Sequence, residues 1–298
     1  MKILIIGSKG FIGKHAYDYF TKKNEDVYGA DVSVDYANPK YFTIDSTNSD
    51  FTEIFEKHQF DVCINCSGAA SVPDSLVHSL RDFTLNSFNV FKILDSLKKY
   101  APNCKLINLS SAAVYGNPKS LPIKESDHVA PVSPYGFHKK FAEDILYEFY
   151  HFFGLHCCSL RIFSAYGTGL YKQIFWDLYQ KTKTQKDIQL FGTGRETRDF
   201  IYITDILQSI DLIIKNGKFC ADTYNIANGE QISIKQIAEL VLEELNFEGN
   251  LSFTGVEREG DPLYWVADIE KMKNLGYQKK VSIEEGIKSY IKWAKELK

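Results

Sequence analysis

The sequence has no excess of positive charge, no long hydrophobic run and no internal repeat. Lys and Arg number 35 against 38 Asp and Glu, a net charge of −3. This balance argues against a nucleic-acid partner, because proteins that bind phosphate backbones carry a basic surface. Apolar stretches such as Ile3–Ile6 and Ile210–Ile214 are far shorter than the roughly 20 residues of a membrane-spanning helix. We therefore expect no membrane insertion.

Cysteine is sparse, with six residues in 298, too few for a disulfide framework. Cys63 and Cys66 have the spacing of a redox or zinc pair, but they lie in a buried strand run without a second ligand pair. Core packing is therefore predicted for them, and no metal. The N-terminal segment meets Gly7 too early for the apolar region of a signal peptide. Together these features predict a cytoplasmic protein.

Short apolar runs alternate with helix-period segments in the first 165 residues. Runs without polar alternation suit strands that are buried on both faces, and their alternation with helices is typical of a doubly wound parallel sheet. The predicted strands are Lys2–Ile6, Asp26–Ala30, Tyr41–Ile44, Asp61–Asn65, Lys105–Leu109 and His156–Ile162, and the predicted helices between them include Phe11–Lys23, Phe51–His58 and Asp82–Tyr100. The fold class predicted is α/β, a Rossmann-type doubly wound parallel sheet with a smaller, mixed C-terminal lobe.

Two domains are expected, because the regular alternation of strand and helix patterns becomes looser from about Ser164. Residues 1–163 would form the dinucleotide-binding domain, with returning segments near 200–226, and residues 164–298 would mainly form a substrate-binding lobe. Helical patterns at Gln173–Lys181, Ile234–Leu245 and Ile283–Leu297 are separated there by turn-rich stretches.

A glycine motif, Gly7–Gly13, directly follows the first predicted strand and opens the first helix. Its glycines let the backbone approach a pyrophosphate, which the N–H groups of the helix N-terminus would bind. Asp31 ends the second strand, where a carboxylate accepts hydrogen bonds from the ribose hydroxyls and repels a 2′-phosphate. Lys9 instead favours NADP, because a cation there would attract that phosphate. NAD is therefore predicted, and NADP is the less favoured alternative.

Asp45 ends the third strand, in Thr43–Ser46. It is placed to accept a hydrogen bond from the adenine amino group, and the alternative is that it caps a turn.

Tyr135 and Lys139 are four residues apart in a helical pattern and therefore share a helix face. A tyrosine hydroxyl titrates near pH 10, and a fixed ammonium one turn away favours the phenolate. Such an oxygen can take a proton from an alcohol. Ser110 and Ser111 follow a strand at the sheet edge where ligands bind in open α/β sheets.

These motifs and several others occur in an order that resembles a known family. The chain is similar over essentially its full length to the extended short-chain dehydrogenases/reductases of the NAD-dependent sugar epimerase/dehydratase family. Besides the residues above, the resemblance is carried by Gly68–Ser75, Leu109–Gly116, Pro134–Lys139, Leu160–Gly167, Phe191–Ile201 and Arg258–Asp261.

The resemblance implies roles for individual residues. It implies that Tyr135 is the acid/base, that Lys139 is its electrostatic partner and that Ser111 shares a hydrogen bond with the substrate. It implies cofactor contacts from Gly7, Gly10, Phe11, Ile12, Gly13, Asp31, Asp45, Ser46, Ala69, Tyr135, Lys139 and Phe163, and substrate contacts from Ser111, Ser164, Arg198 and Arg258. The two arginines match those that grip the substrate diphosphate, a role that suits a planar guanidinium.

The family contains several activities, and three features separate them. Related sugar 4,6-dehydratases carry an Asp-Glu pair where this chain has Ala112 and Ala113, so a dehydratase is disfavoured. Epimerases usually carry Asn at the position of Ser164, which leaves the substrate pose open. Ala70–Leu76 resembles the segment of UDP-hexose and UDP-N-acetylhexosamine 4-epimerases.

The resemblance therefore implies an NAD-dependent nucleotide-sugar 4-epimerase that works through a transient 4-keto sugar. A nucleotide-sugar 4-ketoreductase or dehydrogenase with exchangeable NAD(P)(H) is the alternative, and a non-catalytic NAD-binding protein is a third. The substrate class alone suggests a role in polysaccharide biosynthesis. A homodimer is expected, because the aromatic helix Tyr147–Phe153 would pair with Phe83–Tyr100 in a dimer contact that the resemblance implies.

Overall fold

The computed structural model of the protein describes residues 1–256 and 263–297. Its strands are β1 (Lys2–Ile6), β2 (Asp26–Asp31), β3 (Tyr41–Thr43), β4 (Val62–Asn65), β5 (Lys105–Ser111), β6 (Cys157–Ile162), β7 (Ser164–Tyr166), β8 (Asp187–Leu190), β9 (Thr197–Arg198), β10 (Phe200–Tyr202), β11 (Cys220–Ile226), β12 (Ile232–Ser233) and β13 (Asn250–Phe253). Its helices are α1 (Phe11–Lys22), α2 (Thr52–Lys57), α3 (Val72–Val77), α4 (Ser79–Phe83), α5 (Asn89–Tyr100), α6 (Pro134–Phe153), α7 (Gln173–Thr182), α8 (Ile203–Asn216), α9 (Ile234–Glu244), α10 (Glu270–Lys273) and α11 (Ile283–Glu296).

A seven-stranded sheet lies at the centre, in the order β11-β6-β5-β4-β1-β2-β3. Every neighbouring pair in it is parallel. All six predicted strand runs are strands of this sheet, and β11 adds a seventh strand beside β6. The predicted Rossmann-type fold is confirmed. Because the strands are parallel, all of their carboxyl ends meet at one edge, which is where ligands bind in such sheets.

Side chains of the strands alternate between two apolar cores, as the pleat requires. On β1, Ile3 and Ile5 belong to the core that contains α1 and α8, whereas Leu4 and Ile6 belong to the core that contains α2, α5 and α6. All four side chains are 1% exposed or less. Burial on both faces explains why these strands read as continuous hydrophobic runs.

The C-terminal lobe is mixed. Its short strands pair as β8 with β13, parallel, and β9 with β12, antiparallel. The helices α9 and α11 each begin with a capping box, formed by Ser233 with Gln236 and by Ser282 with Glu285. The apolar core on the α1 side of the sheet continues into this lobe through Phe175, which is completely buried. Within the described residues, no helix is long and apolar enough to cross a bilayer.

One predicted helix, Asp82–Tyr100, is wrong in detail. The segment consists of the end of α4, a π-helical turn at Thr84–Phe88 and α5. The Oγ atom of Ser87 in this turn donates a hydrogen bond of 2.8 Å to the main-chain oxygen of His138 on α6. Packing between two helices therefore accommodates the wider turn, and an apolar period of 3.6 residues does not reveal it.

Candidate active site

The glycine motif forms a tight loop between β1 and α1. Gly7 has a φ of 79° and donates a hydrogen bond of 2.7 Å to the main-chain oxygen of Ala30. A Cβ atom on Gly13 would lie 2.0 Å from the oxygen of Gly7, so no other residue fits there. Gly10 caps the helix without a side-chain hydrogen bond. The N–H groups of Phe11 and Ile12, in the first turn, have no partner within the helix and are available to an anion.

Asp31 lies at the carboxyl end of β2 and holds this loop. Its Oδ2 atom accepts a hydrogen bond of 2.9 Å from the main-chain N–H of Lys9. The ammonium of Lys9 forms an ion pair of 2.5 Å with Asp35 and lies 4.9 Å from the ring centre of Tyr41. The charge of Lys9, which in the sequence argued for NADP, is thus partly offset by Asp35.

Asp45 lies after β3 and is exposed, as is the adjacent Ser46. The Oδ1 atom of Asp45 accepts hydrogen bonds from the main-chain N–H groups of Thr47 and Asn48, at 2.6 and 3.0 Å. These bonds lower the pKa of Asp45. Asp45 therefore caps a turn, as the alternative interpretation of the sequence predicted. A contact with adenine would use the same carboxylate.

Tyr135 and Ser111 are brought together from α6 and the end of β5. Ser133 caps α6, and its side chain accepts from the N–H of Gly136, which places Tyr135 in the first turn. Burial raises the pKa of Tyr135 to about 12, and the side chain of Ser111 acts in the opposite direction. We expected Lys139 to lower this pKa, but in this structure burial outweighs every favourable contact.

Lys139 is buried, with 6% of its surface exposed. Its Nζ atom donates a hydrogen bond of 2.8 Å to the main-chain oxygen of Leu109 and lies 5.9 Å from the ring centre of Tyr135. Burial lowers the pKa of Lys139 to about 8, and the charge of Asp82 is the largest effect in the opposite direction. Tyr135 and Lys139 therefore share one helix face, and the pKa of the Lys139 ammonium is close to neutral pH.

Asn86 is a site residue that sequence reasoning missed. It lies in the π-helical turn and is 1% exposed, and neither of its side-chain polar atoms has a partner among the described residues. A Cβ atom on Gly68 would lie 2.5 Å from Asn86 Oδ1 and 3.5 Å from Lys139 Nζ. Ala69, a predicted cofactor contact, follows Gly68 directly and is partly buried. The only signal in the sequence is a polar residue among apolar ones, which many helices contain.

The predicted substrate residues lie on the lobe side of the same sheet edge. Phe163, a predicted cofactor contact, follows β6, is buried and packs its ring 5.8 Å from that of Trp265. Ser164 begins β7, beside β10. Arg198 lies 5.5 Å from the ring centre of Trp265 and donates a hydrogen bond of 2.9 Å to the oxygen of Thr197. Arg258 lies outside the described residues.

Ala112 and Ala113 follow Ser111 in a 3-10 turn and are buried. Ser111 Oγ accepts a hydrogen bond of 3.1 Å from the N–H of Ala113. The two positions next to the candidate serine therefore supply no acid or base.

Comparison with known proteins agrees with this geometry. The family model described as GDP-mannose 4,6 dehydratase matches residues 4–290. The chain belongs to that family. The family prediction, an extended short-chain dehydrogenase/reductase of the sugar epimerase/dehydratase group, is confirmed, and so is the prediction of an enzyme of this group.

Relatives and solved structures in the family match the whole chain. A putative UDP-glucose 4-epimerase of Methanocaldococcus jannaschii is 29% identical over 98% of each chain. A UDP-glucuronate 4-epimerase of Thermodesulfobacterium geofontis is 29% identical over 98% of this chain and 96% of its own. The crystal structure of UDP-glucuronic acid 4-epimerase from Bacillus cereus, in complex with UDP-glucuronic acid and NAD, superposes with a TM-score of 0.90, at 26% identity and full coverage of both chains. NAD, the predicted cofactor, is thus bound in a structure of this family.

Proposed function

We propose that this protein is an NAD-dependent UDP-sugar 4-epimerase. The observation that carries the proposal is the position of Lys139, whose Nζ atom lies 5.9 Å from the ring centre of Tyr135 and donates to the oxygen of Leu109. Ser111 follows two residues after Leu109 and acts to lower the pKa of Tyr135, at the sheet edge that also holds the glycine loop. The relatives named above act on UDP-sugars, which favours uridine as the nucleotide. The proposed sugars are UDP-glucose and UDP-glucuronate with their C4 epimers.

The residues present fit NAD. The loop of Gly7, Gly10 and Gly13 would approach the pyrophosphate, with the N–H groups of Phe11 and Ile12 directed at its charge. Asp31 would accept from the ribose hydroxyls, and its charge disfavours a 2′-phosphate. The unpartnered amide of Asn86, beside Gly68 and Lys139, fits a polar group of the ligand. Further contacts are proposed for Asp45, Ser46, Ala69 and Phe163.

When it is bound, NAD supplies the acceptor and later the donor of the hydride at C4 of the sugar. Tyr135 would take the proton of the 4-hydroxyl group on its Oη atom and later return it. Ser111 would share a hydrogen bond with that hydroxyl and orient it toward Tyr135. Lys139 favours the phenolate of Tyr135 by its positive charge. The sugar must turn between the two transfers, so it is held mainly by its diphosphate.

The diphosphate would be held by Arg198 and Arg258, with a hydrogen bond from Ser164. A guanidinium presents two parallel N–H groups to phosphate oxygens, which is why an arginine suits this contact. Contact with Trp265 orients the guanidinium of Arg198. A serine at position 164 reaches less far than the asparagine of many epimerases, so the substrate would sit closer to β7 here.

Dehydration is not favoured, because water elimination needs an acid and a base beside the sugar and Ala112 and Ala113 provide neither. The test of the proposed function is direct. The purified protein is denatured, and the nucleotides that it releases are identified by chromatography and mass spectrometry. UDP-glucose and UDP-glucuronate are then incubated with the protein, and their C4 epimers are sought by NMR.

Near-stoichiometric NAD or NADH together with epimer formation would support the proposal. A protein that releases no cofactor, forms no epimer and consumes added NADH with a 4-keto sugar would be a reductase instead.

We also propose a homodimer in the cytoplasm. Large aromatic side chains are exposed on the surface of α5 and α6, which pack side by side. They include Phe91 (38% exposed), Phe141 (41%), Tyr147 (60%) and Phe152 (71%). A contiguous apolar surface of this kind marks a protein contact. Light scattering should give twice the mass of 34.1 kDa, and Phe152→Glu should lower it; a monomeric wild type would contradict the proposal.

A further inference from the structure

A buried Asp-His pair lies next to the candidate lysine. Asp82 on α4 is 1% exposed and His138 on α6 is 7% exposed. The Nδ1–H group of His138 donates a hydrogen bond of 2.6 Å to Asp82 Oδ1. The other carboxylate oxygen, Oδ2, is buried and has no hydrogen-bond partner in the part of the chain that the structure describes. Burial of a carboxylate with one oxygen unsatisfied is costly, so the pair calls for a functional reason.

The position of the pair suggests that reason. His138 directly precedes Lys139, and Asp82 lies one helical turn before Asn86, whose side chain is beside Lys139 at Gly68. The π-helical turn and α4 both pack on α6, and the bond from Ser87 to the oxygen of His138 holds them in register. The rings of Phe83 and Phe141, 5.5 and 6.2 Å from that of His138, close the pair off on its outer side.

The other groups that face Lys139 cannot provide a negative charge as Asp82 does. Glu143, on the same helix, is neutralised by Arg161, whose Nη2 atom lies 2.7 Å from Glu143 Oε2. Cys66 follows β4, and burial raises the pKa of its thiol to about 12, so it is uncharged at neutral pH. Tyr135 is also uncharged there, because burial raises its pKa to about 12. From β5, Lys139 meets only the neutral oxygen of Leu109.

We propose that Asp82, held in place by the hydrogen bond from His138, is a positioning residue that keeps the buried ammonium of Lys139 protonated. Without that charge, the ammonium would be desolvated against neutral groups only and would lose its proton more readily. Lys139 could then no longer favour the phenolate of Tyr135. The consequence for catalysis rests on the proposed function, whereas the effect on Lys139 itself does not.

The test follows the titration of Lys139 directly. The full-length protein is labelled with lysine that carries ¹³C at Cε, and the Lys139 signal is assigned by its loss in Lys139→Arg. Asp82→Asn keeps the shape of the side chain and an oxygen that accepts from His138, and removes only the charge. In Asp82→Asn, the titration midpoint of Lys139 should fall by roughly one pH unit. Asp144→Asn removes an exposed carboxylate of the same helix, bonded to Lys140, and should leave the midpoint unchanged.

His138→Phe removes the hydrogen-bond donor to Asp82 and replaces it with a ring that fits beside Phe83 and Phe141. It should lower the titration midpoint of Lys139 as Asp82→Asn does. The double variant should show no further fall, because His138 acts on Lys139 only through Asp82. An unchanged midpoint in Asp82→Asn would overturn the proposal, as would an equal fall in Asp144→Asn. An unchanged midpoint in His138→Phe would overturn the part assigned to His138.

The same variants separate this inference from the proposed function. If Asp82→Asn lowers the midpoint but the wild type epimerises no UDP-sugar, the inference stands and the function fails. If the wild type is an epimerase and the midpoint does not move, the function stands and the inference fails. In an active enzyme, the alkaline decline of kcat/KM should move to lower pH in Asp82→Asn, a change that a merely structural role would not produce.

Discussion

The ammonium of Lys139 is tied to the main-chain oxygen of Leu109 by a hydrogen bond of 2.8 Å. This bond joins α6, which carries Tyr135, to the carboxyl end of β5, which carries Ser111. Because the acceptor of this bond is a neutral oxygen, the bond leaves the positive charge of Lys139 free to act on Tyr135. The predictions below follow from this arrangement and from its surroundings.

Replacing Tyr135 by Phe should remove nearly all turnover while leaving cofactor binding intact. The variant loses the oxygen that would exchange a proton with the sugar, and general acid-base catalysis contributes roughly 10²–10⁴-fold. We expect kcat to fall by about 10³-fold. Tyr147→Phe, which removes an exposed hydroxyl of the same helix, is the matched control. Turnover at the wild-type rate in Tyr135→Phe would contradict the assignment.

Activity should decline on the alkaline side as Lys139 loses its proton. Burial lowers the pKa of Lys139 to about 8. The charged fraction falls as pH rises through that value, so kcat/KM, which reports the groups of the free enzyme, should fall there too. Lys139→Met should lose the decline together with most of the activity. Lys140→Met, which alters the neighbouring ammonium bonded to Asp144, should keep both.

Asp31→Ser should weaken the preference for NAD over NADP. The serine removes the charge that repels a 2′-phosphate and shortens the side chain that accepts from the ribose hydroxyls. The ratio of the two dissociation constants, measured by calorimetry, should change by about tenfold. Asp26→Asn, at the other end of β2, removes an exposed carboxylate paired with Lys40 and is the control. If the ratio stays constant in Asp31→Ser, another residue selects the cofactor.

Arg198→Met should weaken substrate binding more than it slows the reaction. A charge-assisted hydrogen bond to phosphate contributes about 1.5–3 kcal/mol, so KM should rise by roughly 10–100-fold. The exposed Arg195 lies three residues earlier, and Arg195→Met separates a specific contact from a general loss of positive charge. Equal effects of the two variants would argue against a diphosphate site at Arg198.

The ion pair between Arg161 and Glu143 should matter for stability. Both side chains are under 10% exposed, and Arg161 also donates to the hydroxyl of Tyr115 at 2.9 Å. Arg161→Met leaves the carboxylate of Glu143 buried without its partner, which should lower the free energy of unfolding by about 3–5 kcal/mol. Urea denaturation measures this loss. Adding Glu143→Gln should recover part of it, and a further loss in the double variant would contradict this account.

The sequence by itself determined the sheet, the glycine loop and the Tyr135–Lys139 face. These features are local, because strand runs, a turn between β1 and α1, and residues one helical turn apart are specified by nearby residues. The strand runs predicted from the sequence are all in the sheet, with boundaries that differ by at most two residues. The position of Ser111 beside Tyr135 also follows from its place at the end of a strand.

Only the tertiary structure decided which polar side chains are buried around that face and what they meet. Asp82 and His138 are 56 residues apart in the chain, and Asn86, in a π-helical turn, lies close to Lys139 at Gly68. The pKa of Tyr135 depends on how deeply the surrounding elements bury it, and not on the Lys139 spacing alone. Such contacts depend on how helices pack across the sheet, and polar side chains carry no periodic signal that foretells their partners.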